Sequence, residues 1–271
     1  MREKSSSGLN PRLAGYRQRP LPENTAEMMM KKQGYRRFAV DLDGAFQAER
    51  CVDALSVGLA GANHYFRTDN APYHQRIDGS IEQLYLRTTV AQKLIAINER
   101  IGEFGLQLWM FDAWRPVAVQ NYFHDVWMPN FLKQQDPALN GEELWRRVEM
   151  YWAKGAPNGL IDPRSPPPHA TGGAVDLTIC NRSGEHLFMG TIFDDVTQSA
   201  HTSYFETASS DLSFSNREAR ANRRLLYWIM QEEGFCNNPT EWWHYSWGDQ
   251  MWAKLTDQAA AVYGAVDPSS S

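Results

Sequence analysis

At 271 residues, 42% hydrophobic and 22% charged, the chain has a globular composition with enough apolar material for a sizeable core. The net charge of -5 comes from 27 basic and 32 acidic side chains, and basic pairs such as Arg36-Arg37, Arg146-Arg147 and Arg223-Arg224 are scattered, which argues against a nucleic-acid partner. The three cysteines make neither a disulfide framework nor a CxxC knuckle, and no stretch approaches the roughly 20 apolar residues of a bilayer crossing, so no membrane partner is expected.

Residues 1–35, rich in Ser, Gly, Pro, Arg and Lys, read as an N-terminal extension that wraps the domain or stays loose. The stretch Met1 to Pro20 carries no apolar h-region, and with unpaired thiols this makes a cytoplasmic location the expectation. Val90, Leu94, Ile97 and Ile101 recur at helical spacing, and Gly102 and Gly105 close that helix. Leu106, Leu108 and Met110 then alternate with Gln107, Trp109 and Phe111, a strand that runs into Asp112-Ala113-Trp114-Arg115-Pro116.

Pro116 suits the first turn of a following helix, whose apolar face is expected at Val119, Phe123 and Val126. A second helix is expected from Glu142 to about Trp152. Five prolines between Gly155 and Pro168 mark a long ordered loop leading to His169. Ala174 to Ile179 reads as a strand with Val175, Leu177 and Ile179 on one face and Asp176 and Thr178 on the other.

Ser215 with Glu218 resembles a capping box for a helix that Gly234 ends, with Ala221, Leu225 and Trp228 along one face. After Asn237-Asn238-Pro239, the segment Glu241 to Trp247 is aromatic and strand-like. Together these elements predict one α+β domain over residues 36–262, helices flanking a mainly antiparallel sheet, with a polar tail at 263–271.

The chemistry concentrates in His169, Asp176 and His244, with Glu241 three positions before His244. Thr171-Gly172-Gly173 lets the backbone turn sharply, so that His169 and Asp176 can face one point although seven residues apart. Two imidazoles and one carboxylate are a ligand set for catalytic zinc that leaves a fourth position for water or substrate. On residue types alone, an Asp capping a turn and two histidines in polar networks account for the same residues.

Glu241 suits a base beside a metal, because the proton of an activated water needs an acceptor. A uniform strand would put Glu241 and His244 on opposite faces, so either Glu241 lies in the turn or a bulge breaks the alternation; Pro239 favours the turn. Arg115, at a strand-to-helix junction, is either a cation aimed at a developing oxyanion or a bridge to Asp112.

Asp112-Ala113-Trp114-Arg115-Pro116, His169-Ala170-Thr171-Gly172-Gly173-Ala174-Val175-Asp176-Leu177-Thr178 and Glu241-Trp242-Trp243-His244-Tyr245 together resemble the D-alanyl-D-alanine dipeptidases of the vancomycin-resistance type. These lie within the group of zinc DD-peptidases that share a fold with the hedgehog signalling domain. The resemblance spans roughly residues 60 to 255. It implies one Zn2+ per chain on His169, Asp176 and His244, acid and base duty for Glu241, and transition-state support from Arg115 oriented by Asp112.

It further implies a small dipeptide substrate in a closed pocket with Trp114, Trp242, Trp243 and Trp247 nearby. His201 falls in a shared region as a supporting candidate. A dipeptidase of another stereochemical preference, a DD-carboxypeptidase and a non-catalytic zinc module are the alternatives within this group.

Overall fold

The computed structural model describes residues 10–22, 25–152, 154–206 and 213–270. In chain order its elements are α1 (Pro11–Gln18), α2 (Thr25–Lys32), β1 (Cys51–Asp53), β2 (Ala60–Gly61), β3 (Tyr85–Arg87), α3 (Thr88–Gly102), β4 (Leu106–Asp112), α4 (Val117–Tyr122) and α5 (Met128–Gln135). They continue with α6 (Gly141–Tyr151), β5 (Ala174–Asn181), α7 (Phe214–Glu232), β6 (Cys236–Asn237), β7 (His244–Ser246) and α8 (Gln250–Leu255).

The sheet runs β2-β4-β5-β7-β6, with β2 parallel to β4 and every other pair antiparallel, so the expected α+β domain with a mainly antiparallel sheet is what forms. A separate antiparallel pair joins β1 to β3. The helical spacing of Val90, Leu94, Ile97 and Ile101 lets α3 bury all four at 0% exposure. Leu225, Leu226, Ile229 and Met230 do the same for α7. Among the described residues no helix is long and apolar enough to cross a membrane.

Register builds the site. A bulge in β4 between Met110 and Asp112 shifts the pairing by one residue, so that Asp112 lies opposite Asp176, and Asp176 lies opposite His244 on β7. Without that bulge Phe111 would face Asp176 and the carboxylate of Asp112 would turn to the other side of the sheet. Three polar residues on adjacent strands thus make one row. Val175, Leu177 and Ile179 face the apolar core from β5.

Three local expectations are corrected. Val126 is 46% exposed because a π-helical turn, Phe123–Trp127, interrupts the helix after α4 and changes the phase of the apolar face. Trp127 instead packs edge-on against Tyr73 and stacks on Phe131. The cap of α7 is Ser213, whose hydroxyl accepts from the Asn216 amide at 3.2 Å, rather than Ser215, and Glu218 pairs with Arg17 of α1. The aromatic strand is only His244–Ser246, because Glu241 to Trp243 are spent in a turn.

The described parts of the extension lie on the domain. Tyr16 donates to Glu232 on α7 at 2.6 Å, Arg17 holds Asn222 and Glu218, and Arg19 stacks on Trp228. At the other end, Tyr263 is fully buried and the Val266 amide donates to Ala170 O at 3.0 Å, so residues 263–266 pack with the domain rather than with a polar tail.

Candidate metal centre and active site

His169 arrives on a short 3-10 turn, Pro168–Thr171, where Thr171 Oγ1 donates to Pro168 O at 2.6 Å. The chain then reverses through Gly172 at φ 71° and enters β5 through Gly173, where a Cβ would stand 2.4 Å from Trp247 O. Both glycines are therefore required by the backbone path. The buried Arg87 secures this corner by donating to Thr171 O and Gly264 O.

Each histidine has one nitrogen committed to protein. His169 Nδ1 lies 2.7 Å from the Ala113 carbonyl, which can only accept, so Nδ1 carries the proton and the Nε2 lone pair faces the site. Ser246 Oγ donates to Asp249 Oδ2 at 2.7 Å and so accepts from His244 Nε2 at 3.2 Å, which leaves the Nδ1 lone pair of His244 facing inward. Such outer partners fix ring orientation in metal sites.

With those tautomers the free ring nitrogens point at each other and at the Asp176 carboxylate. His169 Nε2 is 3.2 Å from His244 Nδ1 and 3.3 Å from Asp176 Oδ2, and His244 Nδ1 is 3.0 Å from Asp176 Oδ1. Asp176 Oδ1 is buried and has no properly directed hydrogen bond. Two lone pairs and a carboxylate facing one another call for a cation. Ligands at ordinary zinc distances of about 2.05 Å would stand about 3.3 Å apart on a tetrahedron, close to the spacing found. His169, Asp176 and His244 thus fit a zinc ion.

Burial acts to raise the pKa of Asp176, but His169 and His244 outweigh it and hold the carboxyl well below its usual range. Burial acts to lower the pKa of His244, but the Asp176 carboxylate 3.0 Å from its Nδ1, with the charges of Glu241 and Asp249, favours a cation there and raises it instead.

Glu241 lies in the turn before β7, the first of the two arrangements expected, with Oε2 3.8 Å from His244 Nδ1. Its amide donates to Asn238 O at 3.0 Å, and Asn237 Nδ2 donates to Glu241 O at 3.1 Å, which holds the turn.

Arg115 is buried, donating through Nε to Asp112 at 2.7 Å, through Nη1 to Gln120 at 2.9 Å, and through Nη2 to Tyr65 and Asp176 at 3.2 Å each. Burial opposes the cation, yet Tyr65, Asp112, Asp176 and Asp194 raise its pKa beyond the ordinary guanidinium value. The bridge from Arg115 to Asp112, one of its two sequence readings, forms, and the same side chain lines the cavity beside the cluster.

That cavity, about 430 Å³, includes Lys32, Arg115, Trp152, Asp194, Glu241 and Trp243 in its wall. Trp114 and His201 are absent from it. Trp114 uses Nε1 to hold Val266 O at 2.9 Å, and His201 serves through its carbonyl, which accepts from Arg223 at 2.7 Å. Trp242 bonds to Thr191 and Trp247 packs on Tyr263, so of the four expected tryptophans Trp243 lines the cavity.

Several site residues escaped the sequence reading. Asp194, at φ 59°, accepts at Oδ2 from Tyr65 and Tyr73, both at 2.9 Å, and burial with the Asp176 charge lifts its pKa well above the carboxylate range. Asp and Asn tolerate this left-handed backbone better than most residues, but such a signal in an irregular loop is faint.

A family model described as D-ala-D-ala dipeptidase matches residues 51–263. The D-alanyl-D-alanine dipeptidase of Synechocystis is 31% identical over 199 residues, which span 67% of this chain and 79% of the relative. Those of Enterococcus faecalis and Enterococcus faecium are 31% identical over 148 residues (54% of this chain, 64% of the relative) and 27% over 201 residues (73% and 91%). With that match over most of its length and a buried His-Asp-His cluster built to hold a metal, the chain belongs to the D-alanyl-D-alanine dipeptidase family of zinc metallopeptidases.

Proposed function

We propose that this chain hydrolyses free D-Ala-D-Ala to two molecules of D-alanine, using one zinc ion per chain with Glu241 as base and acid and Arg115 as transition-state support. The observation that carries the reading is the convergence of His169, Asp176 and His244 with Glu241 and Arg115 on one cavity of about 430 Å³. That volume is in the lower part of the range of about 300–1,000 Å³ for small-molecule sites.

His169, Asp176 and His244 would hold the zinc, which when bound would supply a Lewis acid for the scissile carbonyl and for the attacking water. Glu241 takes the proton of the attacking water and delivers it to the departing amine nitrogen, so one carboxylate closes the proton cycle. Arg115, fixed by Asp112, Gln120 and Tyr65, presents a charge that needs no reorganisation as the oxyanion develops. Asp194 is raised towards its neutral form by burial, and an incoming substrate ammonium would favour its ionised form, which suits a substrate with a free amino terminus.

A hydrolysis panel on the zinc-loaded protein, with the four stereoisomers of Ala-Ala and a longer peptide ending in D-Ala-D-Ala, tests the reading. D-Ala-D-Ala is expected to have the highest kcat/KM by at least ~100-fold. Equal or faster turnover of L-Ala-L-Ala, or of the longer peptide, would contradict it.

A further inference from the structure

The cavity wall contains cations that the family-matched residues do not supply. Lys32 closes α2, and Arg36 and Arg37 follow it, all before residue 51 where the match begins. Their surroundings differ. Arg36 donates to the backbone carbonyls of Lys154 and Ser165, and so acts as a tie between loops. Arg37 and Lys154 are exposed at the rim, where water screens them. Arg115 is already paired with Asp112 and Asp176.

Lys32 is different. Its Nζ donates to two neutral acceptors, Asn238 Oδ1 at 2.8 Å and Thr240 Oγ1 at 3.2 Å. Among the described residues no carboxylate lies within the 4.0 Å of an ion pair to it, although it is withdrawn from water enough for burial to pull its pKa down against the charge of Glu241. An ammonium has three donors, and the two acceptors leave one for a ligand in the cavity.

Its anchorage says which ligand group. Asn238 and Thr240 belong to the turn that presents Glu241. In the proposed reaction Glu241 must reach the departing nitrogen, and the α-carboxylate of the leaving amino acid is only two bonds from that nitrogen. A cation tied to the same turn is therefore on the leaving-residue side.

We propose that Lys32 binds the free α-carboxylate of the leaving amino acid, so that a segment outside the family-matched residues sets this chain's demand for a free C-terminus. The proposal rests on the hydrolytic reading above. It makes Lys32 a specificity-determining residue, and it gives the extension a part in the active site.

The test compares D-Ala-D-Ala with its C-terminal amide on zinc-loaded full chains of the wild type, Lys32→Met and Lys32→Arg. The wild type should favour the free acid. Lys32→Met should lose about 10- to 100-fold in kcat/KM on the acid, chiefly through KM, and stay within about twofold on the amide, while Lys32→Arg keeps most of the preference. Equal losses on both substrates would mean that Lys32 acts only by bracing the Glu241 turn, and would overturn the proposal. A preference that survives Lys32→Met overturns the Lys32 assignment alone, whereas a wild type inactive on both substrates overturns the hydrolytic reading beneath it.

Discussion

The floor and the wall of this cavity are built in different ways. The floor is sheet: Asp112, Asp176 and His244 sit opposite one another on β4, β5 and β7, and the backbone ladder sets their spacing. The wall comes from turns and from the N-terminal segment, where Lys32 and Asp194 are held by a few side-chain bonds and Glu241 by two bonds to its backbone. A ligand set for a small ion needs atoms fixed to a few tenths of an ångström; paired strands deliver that for Asp176 and His244, and the Ala113 carbonyl orients His169 on its 3-10 turn. Substrate recognition varies more freely when it rests on loops over a rigid base.

The largest expected effect is on the floor. His244→Ala should take zinc content from about one per chain to near zero and lower activity at least ~1,000-fold, checked by metal analysis and kinetics on the same sample. A variant that keeps stoichiometric zinc would remove His244 from the ligand set.

Asp112 bonds Arg115 and lies 3.5 Å from His169 Nδ1, so it supports both the cation and a ligand. Asp112→Asn should cost about 10- to 100-fold in zinc affinity or kcat, read by competition with a chelator and by turnover. An unaffected enzyme would mean that the Ala113 carbonyl alone orients His169.

A smaller effect is expected behind the wall. His64 packs edge-on against Phe193 with Nε2 2.9 Å from Ala71 O, and burial pushes its pKa down to about 4. Between that value and the ordinary 6.5 the unfolded chain binds the extra proton, so stability falls as pH drops through this window. In the metal-free protein, His64→Gln should flatten the decline between pH 6.5 and 4 by about 1–3 kcal/mol in urea unfolding. Parallel curves would show that His64 does not carry the acid sensitivity.

The smallest effect belongs to the outer surface, where Arg17 and Glu218 meet at 2.8 Å with 19% and 38% of their side chains exposed. Glu218→Ala should change stability by only about 0.2–1 kcal/mol and leave kcat/KM unchanged. A kinetic change there would tie α1 to the site.

The same division governs how much was legible in the amino-acid order. Alternation exposed β4 and β5, glycines at 172 and 173 announced the turn between His169 and Asp176, and Pro239 pointed to a turn at Glu241. Ligands on such regular elements can be read. The bulge after Met110 and the π-helical turn at Phe123 each displace the register by one step that no periodicity encodes, and the second sends Val126 to solvent. Lys32 and Asp194 reach the cavity, and Tyr65 and Tyr73 hold Asp194, from distant segments with no pattern of their own. Their roles come from tertiary packing.

The measurement that bears most directly on the central claim is zinc content and turnover of D-Ala-D-Ala determined together for Glu241→Ala. The expected result is about one zinc per chain, as expected for the wild type, with kcat lowered by ~1,000-fold or more because the water's proton has lost its acceptor. Retained turnover, or loss of the metal with the carboxylate, would contradict a base that acts beside the zinc without binding it.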